Sequence, residues 1–168
     1  MAYFTTLYSG SSGNCALIRS EDKYLLIDMG KSCRTTLTAL KSLGLAVSDC
    51  VGILVTHEHS DHVSGLDTFL KKHPVPLYGC ADTLDTLASR GTIPPAVEAI
   101  PQDDQTLEIG SIPETSIPRS HDVPCCGYRI RTPEGRVMAF ATDLGYLTPV
   151  VQDNLMGCDL VALEANYY

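Results

Sequence analysis

Three of the five histidines in this chain, His57, His59 and His62, fall within six positions, with Asp61 among them. His57 and His59 are two residues apart, so on extended backbone their side chains point the same way and can hold one metal ion. Asp61 and His62 follow where the pattern turns helical, and this second pair can face a neighbouring position. One short segment could thus serve two ions a few ångströms apart. Solvated surface histidines would explain any one of these residues but not four metal-capable side chains so close together. Imidazole and carboxylate donors together suit Zn²⁺ or Mn²⁺.

Such a segment needs a rigid support, and the flanking sequence predicts one. Residues 51–55, Val-Gly-Ile-Leu-Val, form a continuous apolar run expected as a strand buried on both faces. Val63, Leu66 and Leu70 then show helical spacing that stops before Pro74. Upstream, strands are expected at 3–8, 15–19 and 24–28, joined by a Ser/Gly-rich turn at 9–14 and a turn at Glu21-Asp22. Cys33, Leu37, Leu40 and Leu43 line one face of a helix with Ser32 as N-cap and Gly44 as stop. Downstream, a strand at 75–79 and a helix at 82–89 ended by Gly91 precede residues 92–101, whose three prolines predict a loop. Further strands are expected at 105–109, 113–117, 125–131, 136–142 and 159–164, with a turn at Thr132-Pro133-Glu134-Gly135.

The 168 residues, 44% hydrophobic and 19% charged, suit one globular α+β domain over 1–168 with a core of its own. No apolar run approaches the roughly 18 residues that would span a bilayer, and no secretory signal is visible at the start, so a soluble, cytoplasmic protein is expected. The seven cysteines are scattered without a Cys-x-x-Cys pair, which argues for mostly buried thiols rather than a disulfide framework or zinc ribbon. A net charge of −8 excludes a broadly basic nucleic-acid-binding surface. It does not exclude a polyanionic substrate at a cleft whose cations reverse the local potential.

The order His57-x-His59-x-Asp61-His62 after an apolar strand resembles the signature of the metallo-β-lactamase superfamily. The resemblance runs along the chain. Asp28 in Ile27-Asp28-Met29-Gly30 is similar to the family's strand-terminal Asp that supports the metal site from behind the ligands. His121 in Ser-His-Asp matches an isolated third-motif ligand, and Asp143 in Ala-Thr-Asp-Leu-Gly matches the aspartate that bridges two ions. The resemblance implies a four-layer αβ/βα sandwich and a metal-dependent hydrolase. Two cations would lower the pKa of a shared water enough to supply hydroxide near neutral pH, with Asp61 orienting it and accepting its proton.

Asp143, where true β-lactamases carry a cysteine ligand, points away from antibiotic hydrolysis. The Tyr8-Ser9-Gly10-Ser11-Ser12-Gly13-Asn14-Cys15 opening resembles the YycJ-like (WalJ, VicX) branch. So do His121-Asp122-x-x-x-Cys126-Gly127-Tyr128-Arg129-Ile130 and Glu164-Ala165-Asn166. That branch, related to ribonucleases Z and J, implies 5′ exonuclease activity on nucleic acid, DNA ahead of RNA. Small residues in the Ser/Gly turn could also let backbone N–H groups approach a phosphate, although a tight hairpin explains them as well.

The family's closing Gly-His ligand motif has no counterpart, because no His follows His121. By this resemblance one ion keeps His57, His59, His121 and Asp143. The second keeps only Asp61, His62 and Asp143 and is incomplete. The expectation is a C-terminally truncated sandwich whose exposed apolar surface could favour a homo-oligomer. A glyoxalase II-like thioesterase or lactonase, and a non-catalytic metal-binding fragment, are the competing readings.

Overall fold

The computed structural model describes residues 2–8, 13–20, 22–56, 63–101, 106–109, 112–118, 126–131, 137–142 and 160–164. Strands β1 (Ala2–Tyr8), β2 (Cys15–Ser20) and β3 (Lys23–Ile27) form the expected antiparallel meander. From β3 onward the chain alternates strand and helix. The helices α1 (Cys33–Ser42), α2 (Leu66–Lys72) and α3 (Ala81–Ser89) separate β3, β4 (Cys50–Leu54), β5 (Leu77–Gly79) and β6 (Ala99–Pro101). These four strands pair in parallel, completing a six-stranded sheet in the order β1-β2-β3-β4-β5-β6. Successive crossovers of one hand place their helices on one face of a sheet.

The burial pattern shows that arrangement. Leu17, Tyr24, Leu26, Ile53 and Val55 pack with Leu40 of α1, Phe69 and Leu70 of α2, and Leu84 and Leu87 of α3. The alternate residues Ala16, Ile18, Leu25, Ile27, Leu54 and Tyr78 form a second cluster on the opposite face, to which no described helix contributes. Leu25, Ile27 and Leu54 are fully buried there, so β3 and β4 are covered on both sides, as their unbroken apolar runs predict.

A second, five-stranded sheet takes the order β11-β10-β9-β8-β7. Its strands are β7 (Thr106–Ile109), β8 (Ile112–Pro118), β9 (Cys126–Arg131), β10 (Val137–Thr142) and β11 (Leu160–Glu164). All neighbours are antiparallel except β10 and β11. The turn expected at 132–135 lies outside the described residues, but the two strands it would join do pair as a hairpin requires.

Helix ends follow local chemistry. Ser32 caps α1 by accepting from the Thr35 N–H at 3.1 Å. Gly44 and Gly91 follow α1 and α3 with φ of 72° and 73°, a left-handed conformation that glycine adopts without a Cβ clash. Two expectations need correction. The stretch 92–101 is not loop throughout, since Ala99–Pro101 pairs with Leu77–Gly79. A proline is tolerated there because β6 is the sheet's edge and Pro101 is its last residue. Leu43, expected on the buried face of α1, is 46% exposed because it sits past the last helical turn as the C-cap.

Of the cysteines, Cys15, Cys33 and Cys50 are buried free thiols as expected. Cys80 instead is disulfide-bonded. Among the described residues no helix is long and apolar enough to cross a membrane.

Candidate functional site

Asp28 is the candidate site residue whose surroundings are described. Parallel pairing of β3 and β4 sets Ile27 beside Leu54, so the chain leaves both strands side by side. Asp28 is the residue after β3. Its N–H donates to the Leu54 carbonyl at 2.8 Å, carrying the ladder one step past the strand. It is 1% exposed and adopts φ 64°, an uncommon conformation that Asp tolerates better than most residues.

That turn aims the carboxylate at the exit of β4. Oδ1 accepts from the Thr56 N–H at 2.7 Å, and Oδ2 accepts from the Thr56 hydroxyl at 2.6 Å. Thr56 is itself fully buried. Both bonds end on an ionisable carboxylate, the strong class of hydrogen bond, in surroundings that exclude competing water. Thr56 directly precedes His57, so Asp28 holds the residue from which the histidine segment departs.

The loop after Asp28 is gripped from three more sides. The Gly30 N–H donates to the Asn14 carbonyl at 2.9 Å, and the Gly65 N–H donates to the Met29 carbonyl at 3.0 Å. Ser64 Oγ donates to the Gly30 carbonyl. The Lys31 N–H donates to the Tyr8 hydroxyl at 3.2 Å, and the Lys31 ammonium lies 5.3 Å from the centre of the Tyr8 ring. Thr36 Oγ1 spends its hydrogen on the Ser32 carbonyl at 3.0 Å, so in the 2.8 Å contact between the two hydroxyls Tyr8 is the donor. Burial, then the neighbouring Cys15, pushes the Tyr8 phenol well above its ordinary range, and it stays neutral.

Cys15 is buried in the same apolar cluster as Met29 of this loop. Burial first, and the Asp28 charge next, hold its thiol protonated. Its surroundings therefore favour packing over nucleophilic chemistry.

His57, His59, Asp61, His62, His121 and Asp143 lie outside the described residues. Among the described residues no group of three or more His, Cys, Asp or Glu is placed to hold a metal. The strand ends nearest these candidates are informative. β4 leads to His57 through Val55 and Thr56, β8 ends three residues before His121, and β10 ends immediately before Asp143. β8 and β10 both run antiparallel to β9, and Pro118 pairs with Cys126 while Phe140 pairs with Tyr128. The chain therefore leaves β8 and β10 at the same end of the second sheet's strands, beside the start of β9.

Reading the sequence alone misses Thr56 as the partner of Asp28, and Asn14, Ser64 and Gly65 as anchors of residues 29–31. The one available signal is position. Thr56 is a hydroxyl residue closing an apolar strand, and Ser64-Gly65 are two small residues between Val63 and Leu66.

Comparison with known proteins bears on the same features. Residues 23–168 match a family described as the beta-lactamase superfamily domain. The chain is 32% identical over 166 residues to a Bacillus anthracis protein named exodeoxyribonuclease YycJ. It is 28% identical over 167 residues to a Streptococcus pneumoniae serotype 2 protein named exodeoxyribonuclease WalJ. Each alignment covers 98% of this chain, which spans 63% and 62% of the two relatives' lengths. The crystal structure of the metallo-beta-lactamase fold protein YhfI from Bacillus subtilis superposes with a TM-score of 0.79 at 22% identity, covering 98% of this chain and 71% of that one. Fold, motif order and family match agree, and the chain belongs to the beta-lactamase superfamily, on the metallo-β-lactamase fold.

Proposed function

We propose that this chain carries the catalytic core of a metal-dependent phosphodiesterase, a 5′ exonuclease acting on DNA in the cytoplasm. The observation that carries the reading is the buried Asp28 carboxylate clamping Thr56 at the exit of β4. A carboxylate held at φ 64° against the residue before His57 is a costly arrangement if that segment has no geometry to keep. The similarity to two proteins named exodeoxyribonuclease supports nucleic acid as the substrate.

The donor set fits divalent cations, since four imidazoles and two carboxylates are ligands that Zn²⁺ and Mn²⁺ accept. In this reading His57, His59, His121 and Asp143 hold one ion, and Asp61, His62 and Asp143 hold a second with fewer ligands. Bound there, such ions supply Lewis acidity and charge neutralisation at the phosphodiester. Asp61 orients the attacking water and takes its proton, and Asp28 keeps the segment in place through Thr56.

A 5′-phosphorylated DNA oligonucleotide tests the reading, offered to the protein stripped with EDTA and then reloaded with Zn²⁺ or Mn²⁺. Stepwise release of nucleotides from the 5′ end, absent after EDTA and restored by metal, is the expected result. Hydrolysis of a glutathione thioester with DNA left intact would replace the proposal by the thioesterase reading.

A further inference from the structure

The segment 57–62 is bounded by Thr56 and Val63, and the residues on both sides of it are held by one four-residue loop, 28–31. On the N-terminal side Asp28 binds the Thr56 N–H and hydroxyl. On the C-terminal side the Gly65 N–H reaches the Met29 carbonyl at 3.0 Å and Ser64 Oγ reaches the Gly30 carbonyl. The approach at Gly65 is too close for any side chain. A Cβ there would overlap the Lys31 carbonyl oxygen and stand 3.0 Å from the Ser32 carbonyl carbon and 3.1 Å from the Cys33 nitrogen. These are backbone atoms at the start of α1 and cannot swing aside as a flexible side chain would. The loop is braced from behind as well, since a Cβ on Gly13 would lie 2.8 Å from the Gly30 oxygen.

We propose that Gly65, with Ser64, is a positioning residue for metal binding. It closes the second half of a clamp whose first half is Asp28, so that Thr56 before residues 57–62 and Ser64-Gly65 after them are both tied to residues 28–31. The inference rests on the reading that this segment supplies metal ligands. Outer contacts that orient ligands typically change metal affinity tenfold to a hundredfold when removed, and a Cβ at Gly65 would push Gly65 off the backbone of residues 31–33.

Cobalt(II) is the probe, because its visible d–d absorption reports ligand geometry as well as occupancy. Wild type, His59→Ala, Gly65→Ala, Ser64→Ala and Gly44→Ala are titrated with Co²⁺, and far-UV circular dichroism melts check each fold. Gly44 is the control for strain alone, since it has φ 72° with nothing within 4 Å of its would-be Cβ. Expected is tight binding by wild type, lost in His59→Ala and unchanged in Gly44→Ala. Gly65→Ala, still folded, should bind at least tenfold more weakly with an altered d–d spectrum, and Ser64→Ala should shift in the same direction by less. Folded Gly65→Ala and Ser64→Ala with wild-type affinity and spectrum would overturn the proposal, and Ser64→Ala alone decides if Gly65→Ala does not fold. Cobalt binding that is absent in wild type, or indifferent to His59→Ala, would overturn the metal reading itself and this inference with it.

Discussion

At the scale of single residues, Asp28 meets two demands at once. It turns the chain at a positive φ and supplies both acceptors for the buried Thr56. Asp28→Ala leaves an N–H and a hydroxyl without these acceptors and puts alanine into a left-handed turn, a loss of about 2–4 kcal/mol in denaturant unfolding. Asp28→Asn keeps the shape and the tolerance of positive φ, so it should lose less stability than alanine while weakening metal binding. Equal losses for the two variants would contradict this division of roles.

A pH effect belongs to the same scale. Burial pushes the Cys50 thiol up to about 12 from its ordinary 9.0 and raises the Tyr24 phenol as well. Both pKa values are higher in the folded state, so the unfolded chain releases its protons first as pH rises. The associated stability is therefore complete below about pH 9 and falls between about 9 and 12. The melting temperature should drop across that window, and Cys50→Ala should flatten the drop even though it lowers stability at neutral pH.

At the scale of elements, most of the fold was legible because hydrophobic period and punctuation agree with tertiary burial. The run 51–55, the Ser32 cap and the glycines at 44 and 91 all act locally. What stayed hidden depends on pairing. That Asp28 meets Thr56 follows only from the parallel register setting Ile27 beside Leu54. β6 was hidden in a proline-rich stretch although a three-residue edge strand can accept its one proline at the end, and Gly65 passed for an ordinary member of a helical stretch until the backbone of residues 31–33 was seen against it. Helix α2 follows directly from Gly65 and is pinned to the sheet by fully buried Phe69. Phe69→Ala should cost about 3–5 kcal/mol in chemical denaturation. A loss below about 1 kcal/mol would mean that α2 is not held by that contact.

On the scale of the whole molecule, parallel βα units present Asp28 and Thr56 at one end of β3 and β4, while β8 and β10, which precede His121 and Asp143, end at the same end of the second sheet. The proposed function requires these strand ends to serve one centre. The account stands on metal being held by His57, His59, His121 and Asp143, and elemental analysis of the purified protein tests that most directly. It predicts at least one tightly held zinc or manganese ion per chain, retained through gel filtration and lost in His59→Ala. Wild-type protein without stoichiometric metal after loading, or a His59→Ala variant that keeps its full complement, would contradict it.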